Sequence, residues 1–233
     1  MTVERGTARV FAIFAATVAW CGVLLQLDLS LKQSLANGKT FVEGLLIYSG
    51  YFTILTNILV GVVLTLPLVA PTYLPGRFLS RPGVRTATAA AITGVGVVYF
   101  FLLRQVWNPQ GWQLVADVVL HYVTPVLFLA YWWIGVPKAG LRRSQVAAWA
   151  SYPIGYFVYV LVRGELTGLY PYHFLDVGSL GYGRTLMNGL GVLVAFVLLS
   201  LLLLLAGRWQ SPLTAGSDTA QQQHPADGAS RRH

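Results

Sequence analysis

Thr53 and His121 are the residues of this chain whose chemistry combines most directly into a reaction. A threonine hydroxyl is a weak nucleophile until a base takes its proton, and an imidazole does so near neutral pH. Such a pair can attack an ester, form an acyl-threonine, and activate the water that releases it. Asn57 follows Thr53 by one helical turn and Asp117 precedes His121 by one, so each pair shares a helix face. The Asn57 amide and Arg163 are candidate donors to a developing oxyanion. Arg163 could instead bind a carboxylate. Asp117 is a candidate to orient the imidazole, although its reach from one turn away on the same helix is short. Tyr170 and Asp176, beside Glu165, Tyr172 and His173, offer further polar support in one loop.

Each of these residues has a plainer use. Threonine in an apolar helix commonly bonds back to its own backbone or packs on a neighbour. Arg163 can end a helix by snorkelling, Asp117 can sit at the headgroup level, and Tyr170, Tyr172 and Phe174 suit an interfacial aromatic belt. Thr53 and His121 stand out because they fall at similar depths on two separate apolar segments. Counted from the segment ends near Leu45 and Leu114, they lie about 12 Å and about 10 Å in, by the helical rise.

Those segments have to position the pair, and their composition says in what medium. Of 233 residues, 55% are hydrophobic and only 10% charged, against roughly 25% charged in a water-soluble domain. Six apolar stretches, at 10–27, 45–66, 87–103, 114–136, 146–162 and 187–206, approach the roughly 20 residues a bilayer-spanning helix needs. The expectation is an all-α, multi-pass bundle of six transmembrane helices over 1–206, located in the cell membrane. Residues 207–233 are polar with almost nothing to bury, and read as a disordered tail.

Charge sets the expected orientation. The net charge of +8 is dispersed between the apolar runs, so it reads as membrane flanking and not as a nucleic-acid surface. Arg5, Arg9, Arg77, Arg81, Arg85, Lys138, Arg142, Arg143, Arg208, Arg231 and Arg232 fall on one side of such a bundle. Lys32, Lys39, Arg104, Arg163 and Arg184 fall on the other. The richer side is expected to face the cytoplasm, with both termini. The first segment is longer than a secretory core and lacks a small-residue cleavage site, so it is kept as a helix. Cys21 stands alone, and no paired histidines or glycine-rich phosphate loop occur, so neither metal nor cofactor is expected.

Pro125 bears directly on His121. It cannot donate to a carbonyl four residues back, so the helix is expected to bend there with the His121 carbonyl free.

Three blocks carry a family resemblance: GYFTILTNILV at 50–60, LHYVTPVLF at 120–128, and YPIGYFVYVLVRGELTGLYPYHFLDV at 152–177. They resemble the bacterial branch of the androgen-induced-gene-one-like family, which includes the androgen-dependent tissue-factor-pathway-inhibitor-regulating protein. The resemblance implies a six-helix membrane fold and, from the animal members, a threonine hydrolase acting on fatty acid esters of hydroxy fatty acids. It maps the family's threonine onto Thr53 and its histidine onto His121, with a spacing to Pro125 one residue shorter. Bacterial relatives often carry an aspartate where this chain has Tyr131, and a proline where it has His173. The expected partner is a membrane lipid or acyl ester, with oligomeric state open. The alternative is a non-enzymatic lipid-binding or scaffold protein in which Thr53, Asn57 and His121 form a hydrogen-bond cluster. A solute or proton carrier fits less well, because the inner halves of the helices offer little beyond Thr65, Thr88 and Ser151. A haem protein would need a second axial ligand, for which His173 is poorly placed.

Overall fold

No breaker interrupts the chain before Asn37–Gly38, and it forms one long helix, α1 (Thr2–Ala36). The computed structural model describes residues 2–221, with side chains from 6 to 209. α1 runs past the expected end at 27 because falling apolarity does not stop a helix. Gly38 does, with a φ of 72° that glycine adopts without steric cost. The added turns carry Gln26, Ser30, Gln33 and Ser34.

The expected span at 45–66 is not one helix. It is two helices, α2 (Phe41–Ser49) and α3 (Phe52–Val69), broken at Gly50–Tyr51. α2 starts on a capping box: the Glu43 N–H donates to Thr40 Oγ1 at 3.2 Å, and the Thr40 N–H donates to the Glu43 carboxylate at 2.7 Å. Its final carbonyls would lack donors in an apolar setting. Side chains of α8 (Gln145–Thr167) supply them: Arg163 Nη2 donates to Leu46 O at 3.0 Å and Tyr156 Oη to Gly50 O at 2.9 Å. Gly50 permits this approach, since a Cβ there would lie 3.0 Å from the guanidinium carbon.

The remaining spans fall close to their expected places, with longer ends. After the short α4 (Leu74–Leu79), α5 (Pro82–Val98) continues through a π-helical turn, Tyr99–Leu103. α6 (Trp112–Val118), a second π-helical turn (Val119–Val123) and α7 (Thr124–Gly135) form one continuous span. α9 (Val177–Gln221) bends at Gly181, where φ is 71°. It passes the expected boundary at 206. Of the expected tail, residues 222–233, with Arg231 and Arg232, lie outside the described residues.

Six helical segments are long and apolar enough to cross a membrane, and no strand occurs among the described residues. This is an all-α polytopic bundle. Small residues bring the helices close: Ala12, Ala15, Ala16 and Ala19 of α1 are buried with Val60, Val63 and Leu64 of α3. Gly61 lies under Trp20, where a Cβ would come within 2.7 Å of the indole. α5 is the central helix, packing on α3, α7, α8 and α9. Its Ala89 and Ile92 join one core cluster, and Ala90 and Ala91 another. Polar anchors tie the layers: Trp20 Nε1 donates to Thr65 Oγ1, and Trp132 Nε1 to Thr86 Oγ1.

Candidate functional site

The break at Gly50–Tyr51 changes where Thr53 stands. It is not in mid-helix but in the first turn of α3, after the cap residue Tyr51. There its N–H has no intrahelical acceptor, and it donates to Tyr172 Oη at 3.4 Å. The first helical turn also carries the positive end of the helix dipole, which favours negative charge. Thr53 is 8% exposed, and its Oγ1 lies 3.3 Å from His121 Nε2. The two residues expected to share a depth meet.

His121 occupies the π-helical turn before Pro125. Its Nδ1 lies 3.0 Å from the backbone carbonyl of Asp117 and 3.2 Å from Asp117 Oδ1. A carbonyl can only accept, so Nδ1 carries the ring hydrogen and Nε2 is left to accept from the Thr53 hydroxyl. Asp117 does reach the imidazole. Its other carboxylate oxygen accepts from Tyr99 Oη at 2.5 Å, and the Tyr99 ring stacks on His121 with centroids 3.9 Å apart. Tyr99 lies in the other π-helical turn, so both irregular turns face the same imidazole. Such turns often mark functional sites.

Pro125 acts differently from the expectation. The Thr124 N–H donates to Val119 O, five residues back, and Pro125 has no N–H. The carbonyl that loses both helical partners is thus that of Leu120. Asn57 Nδ2 donates to it at 3.2 Å, and also to Thr53 O at 2.8 Å. The His121 carbonyl packs on Gly96, where a Cβ would stand 3.2 Å from it. Asn57 therefore clamps the start of α3 to the turn that carries His121. Its amide hydrogens point to backbone oxygens and not to the Thr53 hydroxyl.

The other expected residues lie elsewhere. Arg163 is 8% exposed and gives Nη1 to Leu169 O at 2.6 Å and Nη2 to Leu46 O, so it caps α2 and holds the loop after α8. Tyr170 covers Gly164, where a Cβ would come within 2.0 Å of its ring. Asp176 caps α9, accepting from the Gly178 N–H at 2.9 Å and from the Ser179 N–H and hydroxyl. Those bonds hold its carboxyl below the usual range. Two residues outside the expected set belong to the site. Tyr172 looked like an interfacial aromatic, and its alternation with Tyr170 gave no sign of which one turns inward. Tyr99 is one aromatic among several, and only its distance from Asp117 by a loop and two turns distinguishes it.

Two cavities meet at Thr53. One, of about 390 Å³, is almost wholly apolar and lies among α5, α8 and α9, with Gly94, Phe157, Gly189 and Phe196 in its wall. The other, of about 510 Å³, is more polar and lies among α1, α2 and α6 at the end of the bundle where α1 stops. Thr53, Leu103 and Tyr172 border both, whereas Asp117 and His121 border only the polar one. Among the described residues, no three His, Cys, Asp or Glu side chains gather as a metal site requires. Set against family models, curated proteins and solved structures, the chain matches none of them.

Proposed function

We propose that this chain is a membrane-embedded threonine hydrolase of lipid esters. Thr53 is the nucleophile, His121 the base, and Asp117 the residue that holds the imidazole. The observation that supports it most is the 3.3 Å approach of His121 Nε2 to Thr53 Oγ1, whose residue also lines an apolar cavity. A separation slightly beyond an ideal hydrogen bond is ordinary before substrate binds.

The steps follow from the tautomer. Nε2 takes the Thr53 proton while Oγ1 attacks the ester carbonyl. The tetrahedral oxyanion forms beside the first turn of α3 and the Tyr172 hydroxyl, which burial keeps protonated by raising its pKa. When the carbon–oxygen bond to the alcohol breaks, the imidazolium returns its proton to the departing alkoxide. A water, deprotonated by the same Nε2, then attacks acyl-Thr53 and releases the fatty acid with the threonine restored. Asp117 holds Nδ1–H throughout, and Tyr99 holds Asp117.

In this reading the protein sits in the cell membrane, and the partition of its basic residues supports placing both termini in the cytoplasm. The polar cavity then opens toward the outer face. The test is labelling of detergent-solubilised protein with an acylating or fluorophosphonate hydrolase probe. Wild type should label at Thr53, and Thr53→Val, nearly isosteric but without the oxygen, should not. A lipid-binding protein without catalysis would keep both cavities and leave the probe unbound in both forms.

A further inference from the structure

The proton path fixes which half of an ester goes where. His121 has to protonate the departing alcohol, and it borders only the polar cavity. The alcohol half therefore leaves on that side, and the acyl half must extend the other way from Thr53, into the apolar cavity. The apolar wall reaches the flank of the bundle at Leu186 and Leu190, which are 51% and 60% exposed, so an acyl chain can enter from lipid between helices.

The walls of the polar cavity describe the alcohol. Gln26, Ser30, Gln33, Ser34, Asn37 and Gln113 supply amides and hydroxyls, all able to donate and accept, beside apolar side chains such as Ile47, Val106 and Trp107 that a polyol's carbon skeleton can meet. Gln113 Nε2 donates to Gln26 Oε1 at 2.7 Å, and Gln26 Nε2 to Ser30 Oγ at 3.0 Å, so these side chains form a connected strip. Lys39 is also in the lining, and among the described residues Asp117 is its one carboxylate, already engaged by Tyr99 and His121. Such a lining suits an uncharged polyol, whose hydroxyls both donate and accept. It would strand polar groups against a second hydrocarbon chain.

We propose that the substrate is a fatty acyl ester of a small polyhydroxyl alcohol, of the glyceride or sugar-ester class, with its acyl chain in the α5–α8–α9 cavity and its polyol against α1 and α6. This rests on the hydrolase reading of Thr53. The reaction takes ester and water to fatty acid and free polyol, and needs no other reactant.

The experiment uses the purified full-length chain in detergent micelles with three substrates: 1-palmitoylglycerol, 1-butyrylglycerol, and the palmitoyl ester of a hydroxystearic acid. Wild type should prefer palmitoylglycerol to the hydroxystearate ester by about tenfold or more in kcat/KM. Gly94 faces the apolar cavity with room to spare, since a Cβ there would meet only Leu199 Cδ1, at 3.9 Å. Gly94→Leu should cost palmitoylglycerol about tenfold while leaving butyrylglycerol within about twofold. Replacing both Gln26 and Gln113 by Leu removes a bonded pair together, and should erase the preference for the glyceryl ester. Equal or better turnover of the hydroxystearate ester by wild type would overturn the polyol assignment and leave the hydrolase reading standing. A Gly94→Leu protein that melts like wild type but loses both chain lengths equally would overturn the acyl assignment. Absence of any turnover, together with an unlabelled Thr53, would remove the hydrolase reading and this proposal with it.

Discussion

The Tyr99 ring lies on the His121 imidazole, 21° from parallel, while its hydroxyl donates to the carboxylate that holds the same imidazole. One residue thus sets both the plane of the ring and the position of its partner. Tyr99→Phe keeps the stacking and removes the hydroxyl, and kcat should fall by about three- to tenfold. Tyr99→Leu removes both and should cost about a hundredfold. Steady-state kinetics on one soluble ester separates the two, and equal losses would show that the stacked ring adds nothing beyond the hydroxyl.

Asp117 holds Nδ1 through two oxygens, one of which belongs to the backbone. Asp117→Asn leaves that carbonyl in place, so the Nδ1–H tautomer survives. The expected loss in kcat is about ten- to a hundredfold, well short of the roughly 10⁴ seen where a carboxylate alone fixes the tautomer. A loss as large as that of Thr53→Val would mean that the backbone contact does not hold the ring.

The all-α bundle and the meeting of Thr53 with His121 were legible in the sequence, because apolar length and polar intrusions carry that information directly. The setting of the pair was not. Nothing in Leu45–Leu66 announces a break, since Ser-Gly-Tyr is tolerated inside membrane helices. The break exists because Arg163 and Tyr156, more than a hundred residues away, supply donors to the orphaned carbonyls. Arg163, by sequence a candidate oxyanion donor, carboxylate binder or snorkelling helix end, lies inside α8 and meets backbone carbonyls instead, because a cation's type does not declare which acceptor it will meet. Pro125 pointed to a freed carbonyl, but helical periodicity placed it at His121. The π-helical turn moves it to Leu120.

Asn57 satisfies two carbonyls at once, and its own Oδ1 is buried without a partner among the described residues. Asn57→Leu leaves the Leu120 carbonyl unbonded, which should cost about 1–3 kcal/mol, visible as a lower Tm in detergent. Because the amide also fixes the start of α3, turnover should drop as well. Unchanged stability would show that Leu120 finds another donor.

Topology can be read on a background in which Cys21, an exposed thiol, is replaced by Ala. Ser80→Cys, in the turn after α4, should react with a membrane-impermeant maleimide only after the cells are opened. Gln110→Cys, before α6, should react in intact cells. The opposite pattern would turn the bundle over and put the polar cavity on the cytoplasmic face.

Tyr172 offers the sharpest division between a group that shapes the site and one that acts in it. Its hydroxyl meets the Thr53 N–H at 3.4 Å, and its ring stacks on Phe174, with centroids 5.2 Å apart. Tyr172→Phe keeps the ring, the stacking and the cavity walls, so folding and ground-state binding should change little. If the hydroxyl donates to the oxyanion, that bond strengthens only as negative charge develops on the carbonyl oxygen. The loss should therefore appear in kcat, about ten- to a hundredfold, with KM nearly unmoved. A merely structural hydroxyl predicts the reverse: a lower Tm, a raised KM for long acyl chains, and little change in kcat on a short ester that does not fill the apolar cavity.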